Sequence, residues 1–276
     1  MFKRILYSAL LKITPEKRKV YDCFIFFNEL EMLELRFSEL YDYVDKFVLV
    51  EATNTHQSNP KPLHFQENRE KFKPFYDKII HVVVDDLPAS SDAMTNERYQ
   101  RNCIFRGLTH CAASDIIIVS DVDEIPTLEA IKYYRNNQLY DIRKLDQQFS
   151  YYFINYIANI RWNLSFISSY HNIKNKDLSK IRNSKVKPRK VLPNGGWHFS
   201  YLGGIDKIIT KLEAFCHADL NIAQYKDRDW LINCLNKGED LFGRNNLRYE
   251  PMLINDSFPK HVVENVEYYK QIGWIR

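Results

Sequence analysis

Short runs of β-branched and aromatic residues alternate along the chain with stretches whose apolar positions recur at i, i+3, i+4 and i+7. This rhythm predicts a mostly parallel central sheet flanked by amphipathic helices, an α/β fold. Residues 21–27 read as the first strand. Asn28 then caps a helix with Glu31 at the capping-box position, and Leu30, Leu33, Phe37, Leu40, Tyr41 and Val44 form its apolar face. Residues 46–50 form a second strand ending at Glu51, and a helix over about 67–76 leads into a strand at 79–84 that Asp85 and Asp86 close. A helix over about 96–111 feeds the strand 115–120, whose run Ile116, Ile117, Ile118, Val119 predicts burial on both faces. Beyond Pro126 the pattern predicts a helix near 128–137, an extended, irregular aromatic stretch over 149–170 and a basic surface excursion over 172–190. GGWHFSYLGG then leads into a helix over 205–216.

Composition narrows the class. With 276 residues, 45% of them hydrophobic and 27% charged, the chain can bury a large core, which excludes a stapled miniprotein and a disordered chain. It reads as a basic segment over 1–20 followed by one domain over 21–276, with a first half of about 21–138 and a second of about 139–276. A net charge of +4 is too mild for a nucleic-acid binder and leaves anionic small molecules or membrane surfaces as partners. Five scattered cysteines without a C-x-x-C pair fit a reducing, cytoplasmic setting. The first residues carry a short apolar run flanked by Lys3, Arg4, Lys12, Lys17, Arg18 and Lys19. They predict no secretory signal, and either a frayed terminus or a peripheral contact with an anionic inner membrane face.

Candidate chemistry starts from glycine placement. Of eight glycines only Gly107 precedes Gly195, so no glycine-rich phosphate loop exists early in a βα unit. If the fold binds a nucleotide, another device must neutralise its diphosphate, and IIIVSDVDEIP offers one, with Asp121, Asp123 and Glu124 directly after a buried strand. Open α/β sheets bind ligands at such strand ends. Asp121 and Asp123 can face a divalent cation, Mg²⁺ or Mn²⁺, whose other positions take water and diphosphate oxygens. A phosphatase of the haloacid-dehalogenase type uses a similar D-x-D with the first Asp as nucleophile, but Ile125 departs from its pattern. An inactive sugar-binding protein on the same fold is a third reading.

Four segments in order, YDCFIFFNELEMLELRFSEL, DKFVLVEATNTHQSNPKPLHF, DIIIVSDVDEIP and GGWHFSYLGG, resemble glycosyltransferase family 17, the β-1,4-mannosyl-glycoprotein β-1,4-N-acetylglucosaminyltransferase family and its bacterial members, over residues 21–269. The resemblance implies a GT-A-type (Rossmann-like) nucleotide-sugar fold, UDP-N-acetylglucosamine as donor, a divalent metal, a glycan acceptor and inversion at the anomeric carbon. It also implies His198 as a third metal ligand beside Asp121 and Asp123, with His217 a weaker candidate. A surface polysaccharide or oligosaccharide fits better than a mannosyl-glycoprotein acceptor. Inversion needs a general base, for which Asp219 stands first and Glu124 second. Arg98, Arg101 and Asn102, on the helix before the metal strand, are candidates for the donor's phosphates or uridine, and Glu51 and Asp85 for its ribose or base.

Overall fold

The computed structural model describes residues 18–88, 92–214 and 218–276. Its strands are β1 (Val20–Phe26), β2 (Lys46–Ala52), β3 (Ile79–Val84), β4 (Ile116–Asp121), β5 (Glu124–Pro126), β6 (Arg143–Tyr151), β7 (Tyr156–Trp162), β8 (Phe166–Ser169), β9 (Val191–Ser200) and β10 (Tyr249–Pro251). Among its helices are α1 (Leu30–Leu40), α2 (Ala93–Asn102), α3 (Leu128–Asn136), α4 (Leu178–Asn183), α5 (Gly204–Ala214) and α6 (Arg228–Lys237). None of the helices in the described residues is long and apolar enough to cross a membrane.

All ten strands join one sheet in the order β10-β7-β6-β8-β4-β1-β2-β3, with β9 pairing β6 and β5. The run β3-β2-β1-β4 is parallel, as the alternation of strands and helices predicts. Strands β2, β1 and β4 bury both faces: Phe24, Phe47, Leu49, Ile116 and Ile118 pack with Leu33 and Phe37 of α1, while Cys23, Val48, Val50, Ile117 and Val119 pack with Ile104 on the other side. A mostly parallel sheet needs correction beyond that point. β8 enters antiparallel between β4 and β6, β7 and β10 are antiparallel too, and only the β6–β9 pair is parallel in the second half. The central sheet is therefore mixed.

Four local expectations also change. The stretch read as extended and irregular is extended but regular, holding β7 and β8; its aromatic side chains, Tyr151 and Tyr156 among them, alternate into a third cluster around Tyr249 and Leu231. The predicted helix over 96–111 ends at Asn102 and tightens into a 3₁₀ turn, Cys103–Gly107. The chain runs so close to β2 there that a Cβ on Gly107 would stand 2.5 Å from Val48 Cγ1. The basic excursion holds α4, which buries Leu178, Ser179, Ile181 and Arg182 and so is no simple surface loop. At the start of α1 the cap is Glu29, not Asn28. The Glu29 carboxylate turns back, and its Oε2 accepts from Phe27 N and Asn28 N.

Candidate active site

β4 ends at Asp121, and β5 begins three residues later, so residues 121–124 form a tight turn at the carboxyl end of the parallel run. Two devices hold it. Arg36, fully buried on α1, pairs with Asp22 at 2.6 Å and donates from Nη1 to the carbonyls of Asp121, Val122 and Glu124 at 2.9, 3.1 and 2.9 Å. On the other flank β5 pairs antiparallel with β9, setting Glu124 opposite His198 and Pro126 opposite Gly196, and Phe199 N donates to Asp123 O. That pairing brings GGWHFS, about seventy residues on in the chain, against the acidic turn. Gly196 is required there, because a Cβ would stand 2.3 Å from Ile125 O.

The acids themselves are held by cations. Asp121 lies 2.8 Å from Arg101 through Oδ1 and 2.7 Å from Arg182 through Oδ2. Arg182 also forks onto both oxygens of Glu124 at 2.7 Å, and Glu124 accepts further from Trp162 Nε1, from Ser165 Oγ at 2.5 Å and from Asp121 N at 2.9 Å. Burial would push the Glu124 carboxyl up, but the Arg182 guanidinium beside it holds it well below the usual range. Asp123 Oδ2 takes Lys211 Nζ at 2.8 Å, and its Oδ1 stands 3.7 Å from His198 Nε2. Lys211 and His198 overcome burial in the same way and keep the Asp123 carboxyl depressed. His198 is stacked on Phe149 at 4.9 Å and tilted against Trp162 at 4.5 Å, and its buried Nδ1 has no hydrogen-bond partner among the described residues.

These groups face a cavity of about 420 Å³ whose walls include Asp121, Asp123, Arg101, Arg182, Lys211, His198 and Trp162, together with Asn54, Thr55 and His56. A volume of that size suits a small organic ligand. Burial lowers the His56 pKa, and Gln100 Oε1 lies 2.9 Å from His56 Nε2.

Of the positions expected from sequence, Asp121, Asp123, His198 and Arg101 meet at this cavity. Glu124 sits beneath it with no exposed surface and every carboxylate oxygen bonded, which makes it an anchor of the turn and not a group free to accept a proton. Glu51 is buried away from the cavity, accepting from Phe65 N and His81 Nε2, both at 3.0 Å. Asp85 is exposed beyond β3. Arg98 pairs with Asp177 at 2.5 Å, and Asn102 Oδ1 accepts from Leu178 N, so these two fasten α4 to α2 and reach no ligand space. Asp219 is exposed on a 3₁₀ turn whose next residue, Leu220, lines the cavity. His217 and Cys216 lie outside the described residues, as does nearly all of the basic N-terminal segment. Sequence reasoning missed Arg36, Arg182 and Lys211. Each is a basic residue on the apolar stripe of its helix, Arg36 three after Leu33, Lys211 three after Ile208 and Arg182 four after Leu178.

The family model for glycosyltransferase family 17 matches residues 10–251. The chain belongs to glycosyltransferase family 17. Similar to it are the β-1,4-mannosyl-glycoprotein 4-β-N-acetylglucosaminyltransferases of Rattus norvegicus, 30% identical over 45% of this chain and 24% of that protein, and of Homo sapiens, 30% identical over 41% of this chain and 22% of that protein. The Mus musculus enzyme is 29% identical over 45% of this chain and 24% of its own length. The chain thus matches about a quarter of these relatives.

Proposed function

We propose that the chain is an inverting N-acetylglucosaminyltransferase of GT-A type that uses UDP-N-acetylglucosamine as donor and a glycan hydroxyl as acceptor. The observation that carries this reading is the cavity at the carboxyl end of β4, where two acids of the D-x-D turn and the cations Arg101, Arg182 and Lys211 converge in a family 17 chain. Departure of a nucleoside diphosphate from a sugar leaves negative charge on the leaving group, and fixed cations in a partly closed cavity stabilise that charge. Arg36 and the β5–β9 pairing keep the turn in place, while Phe149, Tyr151 and Trp162 supply an apolar wall that limits water.

The residues fit a divalent ion through two of the three expected ligands. Asp123 Oδ1 and His198 Nε2 are 3.7 Å apart, a gap one ion can bridge, whereas both Asp121 oxygens already lie on arginines. No three-residue cluster of metal-ligating type occurs among the described residues, so the rest of such a shell would come from diphosphate and water oxygens, as is usual for Mg²⁺ or Mn²⁺. When bound, the ion acts as a Lewis acid on the diphosphate. The double arginine clamp also disfavours Asp121 as a phosphatase nucleophile.

A synthesis role in surface polysaccharide, on the cytoplasmic side, is part of this reading and rests on the sequence. The test is calorimetric titration of UDP-N-acetylglucosamine with and without Mn²⁺, on wild type and Asp123→Asn. Binding strengthened by Mn²⁺ and lost in Asp123→Asn supports the reading; absence of binding by any UDP-sugar under both conditions overturns it.

A further inference from the structure

A second cavity, of about 180 Å³, adjoins the first and shares four residues with it: Glu29, Asp123, Tyr201 and Lys211. Away from that shared wall it is closed by Trp274, Leu202 and Ile272, with Lys207 at an exposed position on its rim. Aromatic and apolar surface beside carboxylate, amide and ammonium groups is the mixture that binds a pyranose, whose ring presents apolar C–H faces and hydroxyl edges.

Glu29 is the carboxylate on the shared wall with no ion pair among the described residues, although Lys211 and Lys61 stand near enough to feel its charge. Lys211 holds Asp123, whereas Glu29 receives only two backbone donors, Phe27 N at 3.2 Å and Asn28 N at 3.0 Å, both on Oε2. Those bonds fix the plane of the carboxylate and leave Oε1 without a hydrogen bond among the described residues. Glu29 lines both cavities, and a general base for glycosyl transfer has to border both the acceptor hydroxyl and the donor's reacting carbon.

We propose that the smaller cavity is the acceptor subsite, taking one pyranose of a glycan, and that Glu29 is the general base. The inference rests on the transferase reading above. In the step, the acceptor hydroxyl oxygen forms a bond to the donor's anomeric carbon as the bond from that carbon to the phosphate oxygen breaks. The electron pair leaves with UDP, and the hydroxyl proton passes to Glu29 Oε1.

The test uses the full chain loaded with UDP and a panel of p-nitrophenyl pyranosides, with binding read by saturation-transfer NMR and catalysis by UDP release from UDP-N-acetylglucosamine, which counts transfer and hydrolysis together. Wild type binds at least one pyranoside. Lys207→Trp, an exposed substitution that fills the rim, abolishes that binding and leaves the dissociation constant for UDP unchanged. Glu29→Gln lowers kcat for UDP release by about 10²–10⁴-fold with the KM for donor unchanged, and Glu29→Asp restores part of the rate. Failure of wild type to bind any pyranoside, or pyranoside binding untouched by Lys207→Trp, overturns the subsite. A Glu29→Gln rate within about threefold of wild type overturns the base. Loss of UDP-sugar binding in wild type itself would instead defeat the transferase reading.

Discussion

Replacing Arg182 by Leu tests whether the acidic turn is held by its cations. In the native chain Arg182 is buried, 2.7 Å from Asp121 Oδ2 and from both oxygens of Glu124. Its removal leaves Glu124, which has no exposed surface, with only the neutral donors Trp162, Ser165 and Asp121 N. Breaking a buried ion pair from one side costs about 3–5 kcal/mol, because a charge stays behind without its partner. Asp121 keeps Arg101, which puts the expected loss near the lower end, about 3 kcal/mol. At about 2–4 °C per kcal/mol for a domain of this size, the midpoint of thermal unfolding falls by roughly 6–12 °C at pH 7. Acid sharpens the test. The native Asp121 and Glu124 carboxyls are depressed, so their contribution is complete above the unfolded carboxylate value of about 4 and is lost as pH falls through their lower folded values. In Arg182→Leu that contribution is already missing, so the gap to wild type narrows below about pH 4. Urea unfolding at pH 7, 5 and 3.5 measures it. A gap under about 1 kcal/mol at pH 7, or one that widens on acidification, would refute the reasoning.

Two further outcomes follow from neighbouring features. Gly196→Ala forces a Cβ onto Ile125 O and Pro126 Cα, so it should destabilise by about 1–3 kcal/mol and weaken UDP binding as β9 moves off β5; calorimetry with a native Tm and native affinity would contradict this. Lys144, whose ammonium donates to the carbonyl of Leu164 and to those of Ile181 and Arg182 at the end of α4, is brought down by burial to about 8. The folded chain therefore holds fewer protons than the unfolded chain between about pH 8 and 10, and wild-type stability gains from Lys144 as pH rises through that window. Lys144→Met should remove that gain, and an unchanged difference between urea midpoints at pH 7.5 and 9.5 would exclude it.

What the residue pattern revealed, and what it concealed, divides along a physical line. Where burial on both faces forced unbroken apolar runs, as in Ile116 to Val119, the strand and the acidic residues at its end were legible, and so was α1 from its stripe of Leu33, Phe37 and Leu40. β7 and β8 were not, because a strand packed under aromatic side chains in an antiparallel setting has no helix on either side to punctuate it. The candidate base positions Asp219 and Glu124 were judged by type and neighbourhood. Sequence does not tell a free carboxylate from one spent on an arginine sixty residues away, and Glu124 with Arg182 is that case. The signal available but unread was the basic residue on an apolar stripe. A guanidinium or ammonium at Arg36, Arg182 or Lys211 has to find an anion or carbonyl inside, and all three find the same turn.

The pairing of Arg101, Arg182 and Lys211 with internal acids has a consequence for selectivity. Arg101, Arg182 and Lys211 are never bare, so an arriving anion has to compete with carboxylates tethered to the same fold, which act at a far higher effective concentration than any solute. On this argument free phosphate or chloride should lose that exchange. A ligand that touches several of the cations at once, and brings additional surface to the cavity walls, wins it, so the resting site is insulated against the abundant small anions around it.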